Sequence, residues 1–473
     1  MAGDSRPVAV VRPGETVEQA LYEVQQKVYP RAVHGAFAAW RWGLVWATQL
    51  IFYGTAWLSW NDRQAVLFDI AHRKFYIFGL VFWPQDIVYL TVLLIVSALA
   101  LFLFTAVAGR LWCGYACPQT VYSEIFMWIE RRTEGDRNRR IRLDRAPWGP
   151  RKLARKGAKH ALWILLAFWT GFTFVGYFTP IRELWAEVLG ADTGPWETFW
   201  ILFYGFATYG NAGWMREQVC IYMCPYARFQ SAMFDRDTLI ITYDQRRGEP
   251  RGGRARGAQP KALGLGDCVD CGICVQVCPT GIDIRNGLQY QCIGCAACID
   301  GCDQVMDRMG YAHGLIRYST QNALEGGLAQ RDMLARVLRP RVLVYTALLS
   351  AIAVAAAAVL WLRIPLKVDV IRDRTALSRE VEGGMIENVY RLQIMNTAES
   401  ERIFEIRAEG LPTLQLAGPA RVEVDATTSR MVPVRVRLQP GAAPPGTHKI
   451  EFAVHAVGVE RVAVREKSVF IVR

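Results

Sequence analysis

Twelve cysteines carry the chemistry open to this chain, and eight of them fall between Cys268 and Cys302. That stretch reads CVDCGICVQVCPTGIDIRNGLQYQCIGCAACIDGC. Its first half is Cys268-x2-Cys271-x2-Cys274-x3-Cys278-Pro279. Its second half repeats the spacing as Cys292-x2-Cys295-x2-Cys298-x3-Cys302. Two such runs in tandem are the two-cluster ferredoxin pattern, in which each run gives three thiolates to one [4Fe–4S] cube and its fourth to the other. The spacing therefore assigns Cys268, Cys271, Cys274 and Cys302 to one cluster. Cys292, Cys295, Cys298 and Cys278 go to the second. Gly272 and Gly294 suit the tight loops this demands. Zinc knuckles and disulfide frameworks space their cysteines differently.

The other four cysteines form two matched pairs, Cys113-Gly-Tyr-Ala-Cys117-Pro118 and Cys220-Ile-Tyr-Met-Cys224-Pro225. Each pair follows an apolar run. Proline disfavours helix at the residue before it, which places each pair on a turn where the run ends. Four thiolates converging there suit a soft metal, Cu(I) by preference, or a further iron–sulfur centre. Buried small hydrophobes or a reversible dithiol are the plainer alternatives. Met215 and Met223 stand nearby as thioethers.

The elements that must position these cysteines are membrane spans. The chain of 473 residues is 52% hydrophobic and carries 16 Trp, too apolar for a soluble protein with a polar ferredoxin loop. Five uncharged runs approach the roughly 20 apolar residues a bilayer crossing needs: Trp42–Trp60, Ile87–Ala108, Ala161–Thr179, Phe199–Trp214 and Val342–Leu362. The apolar piece within residues 61–86 is short and suits the interface instead. Residues 1–38 show no signal-peptide pattern.

Orientation follows from the loops. The one after the second run holds Arg131, Arg132, Arg137, Arg139, Arg140, Arg142, Arg145, Arg151, Lys152, Arg155, Lys156 and Lys159. The next holds only Arg182 against Glu183, Glu187, Asp192 and Glu197. The basic loop is therefore expected in the cytoplasm beside anionic lipid. The amino terminus and the ferredoxin fall on the same side, and the carboxyl-terminal tail on the other. Thiolate clusters also need a reducing compartment for assembly. The net charge of +12 matters by its location, and this loop is read as a topology determinant rather than a nucleic-acid site.

Beyond the fifth run, alternating stretches such as NVYRLQIM, MVPVRVRL and KIEFAVHAV are punctuated by Gly and Pro. Seven such stretches over residues 363–473 predict an immunoglobulin-like β-sandwich. The expected fold is thus membrane α-helical, with five transmembrane helices, a cytoplasmic two-cluster ferredoxin domain and a periplasmic β-sandwich. Its segments are 1–38 (amino-terminal), 39–225 (four helices with both CxxxCP motifs), 226–262 (a Gly/Arg/Pro-rich flexible linker), 263–340 (ferredoxin), 341–362 (fifth helix) and 363–473 (sandwich). No GxGxxG supports a bound nucleotide. No run carries a central His for haem or an internal carboxylate for proton transport.

RLWCGYACPQTVYSEIFMWIERRTEGDR, REQVCIYMCPYARFQSAMFDRDTLIITYDQRRGEPRG and FDIAHRKFYIFGLVFWPQD closely resemble the FixG/RdxA family, which includes the cytochrome c oxidase accessory protein CcoG. The likeness covers nearly the whole chain. It implies a membrane protein of the bacterial inner membrane, acting in maturation of the cbb-type haem–copper oxidase. It also implies a cupric reductase that supplies Cu(I) to the oxidase copper centre, with Cys113, Cys117, Cys220 and Cys224 as the reactive copper site. The implied partners are copper ions, assembly factors or a copper transporter or chaperone of that oxidase, the lipid bilayer, and a second copy of the chain as a homodimer. A membrane ferredoxin relaying electrons between quinol and a respiratory enzyme, and a non-catalytic assembly scaffold, are the competing readings.

The loop charges carry a direct test of topology. Reporter fusions after Gly190 and Arg473 are expected to report the periplasm, and fusions after Arg155 and Ala262 the cytoplasm. A cytoplasmic carboxyl terminus would remove one span or invert the arrangement.

Overall fold

The structure, a computed structural model, describes residues 27–327, 330–373, 378–459 and 461–472. Most of the expected amino-terminal segment, residues 1–26, lies outside the described residues. The chain divides into two compact units. One comprises Met1–Ala39, Met127–Lys159 and Ile241–Tyr318, and the other Trp40–Phe126, His160–Ile240 and Ser319–Arg473.

The first unit contains the eight clustered cysteines. Strands Ile240–Tyr243 and Ile316–Ser319 pair with each other, and helix Ala297–Met309 carries Cys298 and Cys302 of the second cysteine run. The core gathers Ile241, Ile284, Ile299, Met306, Leu315 and Ile316 around the cysteines. The stretch expected as a flexible linker packs here instead. The Gly252 N–H donates to the Cys268 carbonyl at 3.2 Å, and Arg254 donates to the Tyr311 hydroxyl at 3.0 Å. Arg and Gly content suggested flexibility, but these long-range hydrogen bonds fix the segment. The amino-terminal strap is tied in the same way. Asp300 accepts the N–H groups of Phe37 at 3.2 Å and Ala38 at 2.7 Å, capping the start of helix Ala36–Thr55.

The basic loop is only partly a surface. Glu130 and Arg140 pair at 2.7 Å with both side chains 3% exposed, while Lys156 and Lys159 close on Glu134 at 3.0 and 3.1 Å. Burial of these charges is sustained by their pairing. Arg132, Arg139, Arg142, Arg145 and Arg151 stay exposed. Spacing showed the charges but not which of them find acidic partners.

Among the described residues, three helices are long and apolar enough to cross a membrane: Pro84–Ala108, Pro150–Val175 and Pro340–Trp361. The protein is accordingly a membrane protein. Five such helices were expected. The first expected run forms a 20-residue helix, Ala36–Thr55, but Trp40, Arg41, Trp42 and Trp46 make it less apolar, and Ser59–Trp60 is already a strand. The fourth forms a helix of only 14 residues, Pro195–Thr208, about 21 Å long at 1.5 Å per residue. It continues as a π-helical turn, Tyr209–Met215. The third begins earlier than expected, so that Arg151, Lys152, Arg155 and Lys156 ride on its first turns. The stretch expected to lie at the interface holds a three-stranded antiparallel sheet, Val66–Asp69, Lys74–Ile77 and Leu80–Phe82.

Residues 366–472 form two antiparallel sheets. One holds Leu366–Arg372, Arg379–Val381, Met385–Asn396, Gln415–Ala417 and Ser429–Leu438. The other holds Arg402–Glu409, Arg421–Val424, Gly446–Ala456 and Ala463–Val472. All seven expected strands are present, with two short ones added. Val432, Val434, Val436 and Leu438 alternate inward and meet Phe404, Phe452 and Phe470 across the core. Buried Asn388 takes the place of a neighbouring strand for Ile471, donating to its carbonyl at 2.9 Å and accepting its N–H at 3.0 Å. One ion triad fastens this sandwich to the helices. Asp86, 5% exposed, accepts Arg363 at 2.8 Å and also Lys367, while its other contact is the Trp83 N–H at 3.0 Å.

Removing one member of a buried ion group leaves the others uncompensated. Asp86→Ala is therefore expected to cost about 3–5 kcal/mol. The loss is read as a lower thermal midpoint and faster proteolysis near Arg363, whereas exposed Asp62→Ala leaves both unchanged.

Candidate functional site

The two cysteine runs use the same backbone device. Within each CxxC, the residue before the second cysteine is left-handed, Asp270 at φ 50° and Gly294 at φ 71°. The residue after it is left-handed too, Gly272 at φ 63° and Ala296 at φ 58°, and it caps the helix that follows. These reversals turn successive thiols toward one point. Glycine marked half of them in the sequence, while Asp270 and Ala296 gave no such signal.

The result is two cavities. One is lined by Cys268, Cys271, Cys274 and Cys302. The other is lined by Cys278, Cys292, Cys295 and Cys298, with Cys274 on the shared wall. The fourth cysteine of each run thus stands with the other run's three, the crossing that the spacing assigns. Among the described residues no three His, Cys, Asp or Glu side chains close on a single ion.

Burial pushes two of these thiols up, Cys274 to about 11 and Cys302 to about 12, with neighbouring groups adding to or opposing the effect. As free thiols they stay protonated at neutral pH, so binding iron displaces their protons. The surroundings that resist a lone thiolate favour a cluster that spreads its charge.

The other four cysteines all lie in the second unit. Cys117 precedes helix Pro118–Thr133 and Cys224 caps helix Pro225–Met233, so each proline occupies the first helical position, where its missing N–H is no loss. The N–H groups of Gln119 and Thr120 then point at Cys117 and oppose the burial that raises its pKa. Burial likewise raises Cys113, and raises Cys220 to about 12. Cys113 and Cys117 add to the Cys220 shift, and Cys224 adds to all three, which places the four thiols within electrostatic reach of one another. Cys113 Sγ donates to Gln230 Oε1 at 3.2 Å, and Gln230 reaches Thr105 at 3.4 Å. Buried Arg110 opposes the rise at Cys113, Cys117 and Cys220. Gln119 spans the two motifs, donating to the carbonyls of Asn211 at 2.9 Å and Arg216 at 3.1 Å. Those carbonyls lie in and just beyond the π-helical turn that leads to Cys220. Such turns recur at functional sites.

Three family models match. "4Fe-4S dicluster domain" covers residues 215–321, "4Fe-4S binding domain" covers 90–135, and "IG-like fold at C-terminal of FixG" covers 356–473. The "Nitrogen fixation protein FixG" of Rhizobium meliloti is 38% identical over 89% of this chain and 89% of its own. "Protein RdxA" and "Protein RdxB" of Cereibacter sphaeroides are 38% and 39% identical, each over 91% of this chain and 92% of their own. The chain belongs to the FixG/RdxA family. As a member it is an iron–sulfur electron-transfer protein of the membrane, with an immunoglobulin-like carboxyl-terminal domain.

Arg110 and Gln230 are the residues that sequence reasoning missed at the second cysteine group. Arg110 sits three residues before Cys113 in a basic-rich chain, and nothing in its spacing sets it apart. Gln230 is ten residues beyond Cys220, on a helix whose inward face only the fold defines.

The cavity linings predict separate losses. Cys271→Ala is expected to remove about four of about eight irons per chain, and Cys295→Ala the other four. Iron analysis and EPR of the dithionite-reduced protein check this. Stoichiometric zinc without iron would contradict it.

Proposed function

We propose that the chain is a cupric reductase of the bacterial inner membrane that serves assembly of the cbb-type oxidase. In this reading Cys268, Cys271, Cys274 and Cys302 hold one [4Fe–4S] cluster, and Cys278, Cys292, Cys295 and Cys298 the other. The clusters, when bound, supply the electron that converts Cu(II) to Cu(I). Copper is the substrate and meets the chain at Cys113, Cys117, Cys220 and Cys224. The observation that carries the reading is the mutual electrostatic reach of these four thiols, drawn from two distant segments, with Arg110 acting on Cys113, Cys117 and Cys220.

Thiolate is a soft donor and binds Cu(I) more tightly than Cu(II), which adds to the driving force for reducing bound copper. Two thiolates suffice for linearly coordinated Cu(I), in keeping with the absence, among the described residues, of three that close on one ion. Arg110 offsets the charge left when thiols ionise. Gln230, already a partner of Cys113, orients that sulfur. The five-span topology belongs to this reading, with the ferredoxin in the cytoplasm and the sandwich in the periplasm. So do the partners: a copper transporter or chaperone or other assembly factors of the oxidase, and a second copy of the chain.

One observation favours a second reading. The model described as a 4Fe-4S binding domain spans residues 90–135 and so encloses Cys113 and Cys117. The four membrane-side cysteines would then hold a third cluster and extend an electron relay.

Paired variants separate the two. Cys113→Ala with Cys117→Ala is expected to abolish copper binding and copper reduction while leaving about eight irons and the reduced-cluster EPR signal. Loss of about four irons instead would assign those cysteines to a cluster. Unchanged Cu(II) reductase activity would make them structural.

A further inference from the structure

The sequence repeat makes the two cluster sites look alike, but their walls differ. Beside Cys278, Cys292, Cys295 and Cys298 the lining is Ile241, Ile282, Ile284, Ile293 and Thr280. Beside Cys268, Cys271, Cys274 and Cys302 it includes Arg285 and Tyr243. Among the described residues, Arg285 is the only Lys or Arg lining either cavity. Its side chain is 11% exposed and held from behind. Nε donates to Asp283 at 2.8 Å, Nη2 to Asp283 at 2.7 Å, and Nη1 to Asp270. Neither carboxylate lines the cavity, and Asp270 is 53% exposed. The guanidinium is thus a held cation at the wall, while the two carboxylates that hold it do not line the cavity.

Reduction adds one negative charge to a cube that already carries four thiolates. A cation at the wall favours that charge, and an apolar wall resists it. We propose that Arg285 raises the reduction potential of the cluster held by Cys268, Cys271, Cys274 and Cys302 above that of the cluster in the isoleucine-lined site, so that a single electron rests on the former. The proposal rests on the ligand assignment above. Arg285 meets the cavity itself, and Asp303 does not. Arg285 is therefore a tuning residue that acts on the cluster through its charge, and it exchanges no proton.

The test is an anaerobic redox titration of the full-length protein followed by EPR, with iron counted in each variant. The wild type is expected to show two midpoints. Arg285→Gln lowers the upper one and leaves the lower in place, while Arg285→Lys, which keeps the charge, restores most of the shift. Asp270→Asn, at an exposed left-handed position that Asn tolerates, raises the upper midpoint and carries the test if the Arg285 variants lose iron. Cys271→Ala removes the upper wave. A single midpoint for both clusters overturns the proposal, as does an upper wave unmoved by Arg285→Gln and Asp270→Asn. Loss of the lower wave in Cys271→Ala overturns it too. Copper reduction does not enter these readings, so failure of the cupric-reductase reading leaves this one standing, and the reverse.

Discussion

Thiols packed among isoleucines and aromatic rings do not ionise readily, because burial penalises the charged form. In this chain the penalty falls on cysteines of both groups, and each other's charge deepens it. A metal centre reverses the balance by spreading the charge over iron and sulfide or by drawing it onto a soft cation. The local architecture follows from that constraint. Left-handed turns aim the ferredoxin thiols inward, and helix starts behind proline aim amide groups at Cys117. Single cations, Arg285 and Arg110, are placed where negative charge would otherwise accumulate.

The two groups meet the constraint by different means. In the ferredoxin the ligands come from one short repeat, and backbone geometry does most of the positioning. Asp270 and Ala296 adopt φ values that are unfavourable for residues with a Cβ, which the surrounding contacts must maintain. At the CxxxCP pairs the thiols come from segments about a hundred residues apart. Gln119 holds them in register by bonding across to the π-helical turn. Substitution there would disturb the relation between pairs without touching a sulfur.

Charge is also used structurally. Glu130 and Glu134 draw Arg140, Lys156 and Lys159 out of solvent, and Asp86 binds the start of the sandwich to the end of an apolar helix. Groups of this kind give direction more than net stability, since desolvation offsets much of the attraction. They leave the remaining exposed arginines as the part of the basic loop that can meet a lipid surface.

The sequence alone determined the ferredoxin cysteine group, because thiolate spacing is set by the size of the cube and survives as a one-dimensional pattern. It determined the sandwich for the same kind of reason: alternation at period two records which side of a strand is buried. It also marked the apolar helices, although the bilayer sets length and composition rather than boundaries. Only the tertiary structure decided that Trp40, Arg41 and Trp46 belong to a helix ending at Thr55, and that 66–82 is a small sheet. It alone showed that Arg254 and Gly252 fasten the supposed linker. Nor was it legible which arginine among the 55 Lys and Arg residues faces a cluster. Those outcomes depend on contacts between residues far apart in the chain. Composition and periodicity record a residue's own preference and carry no trace of its distant partner.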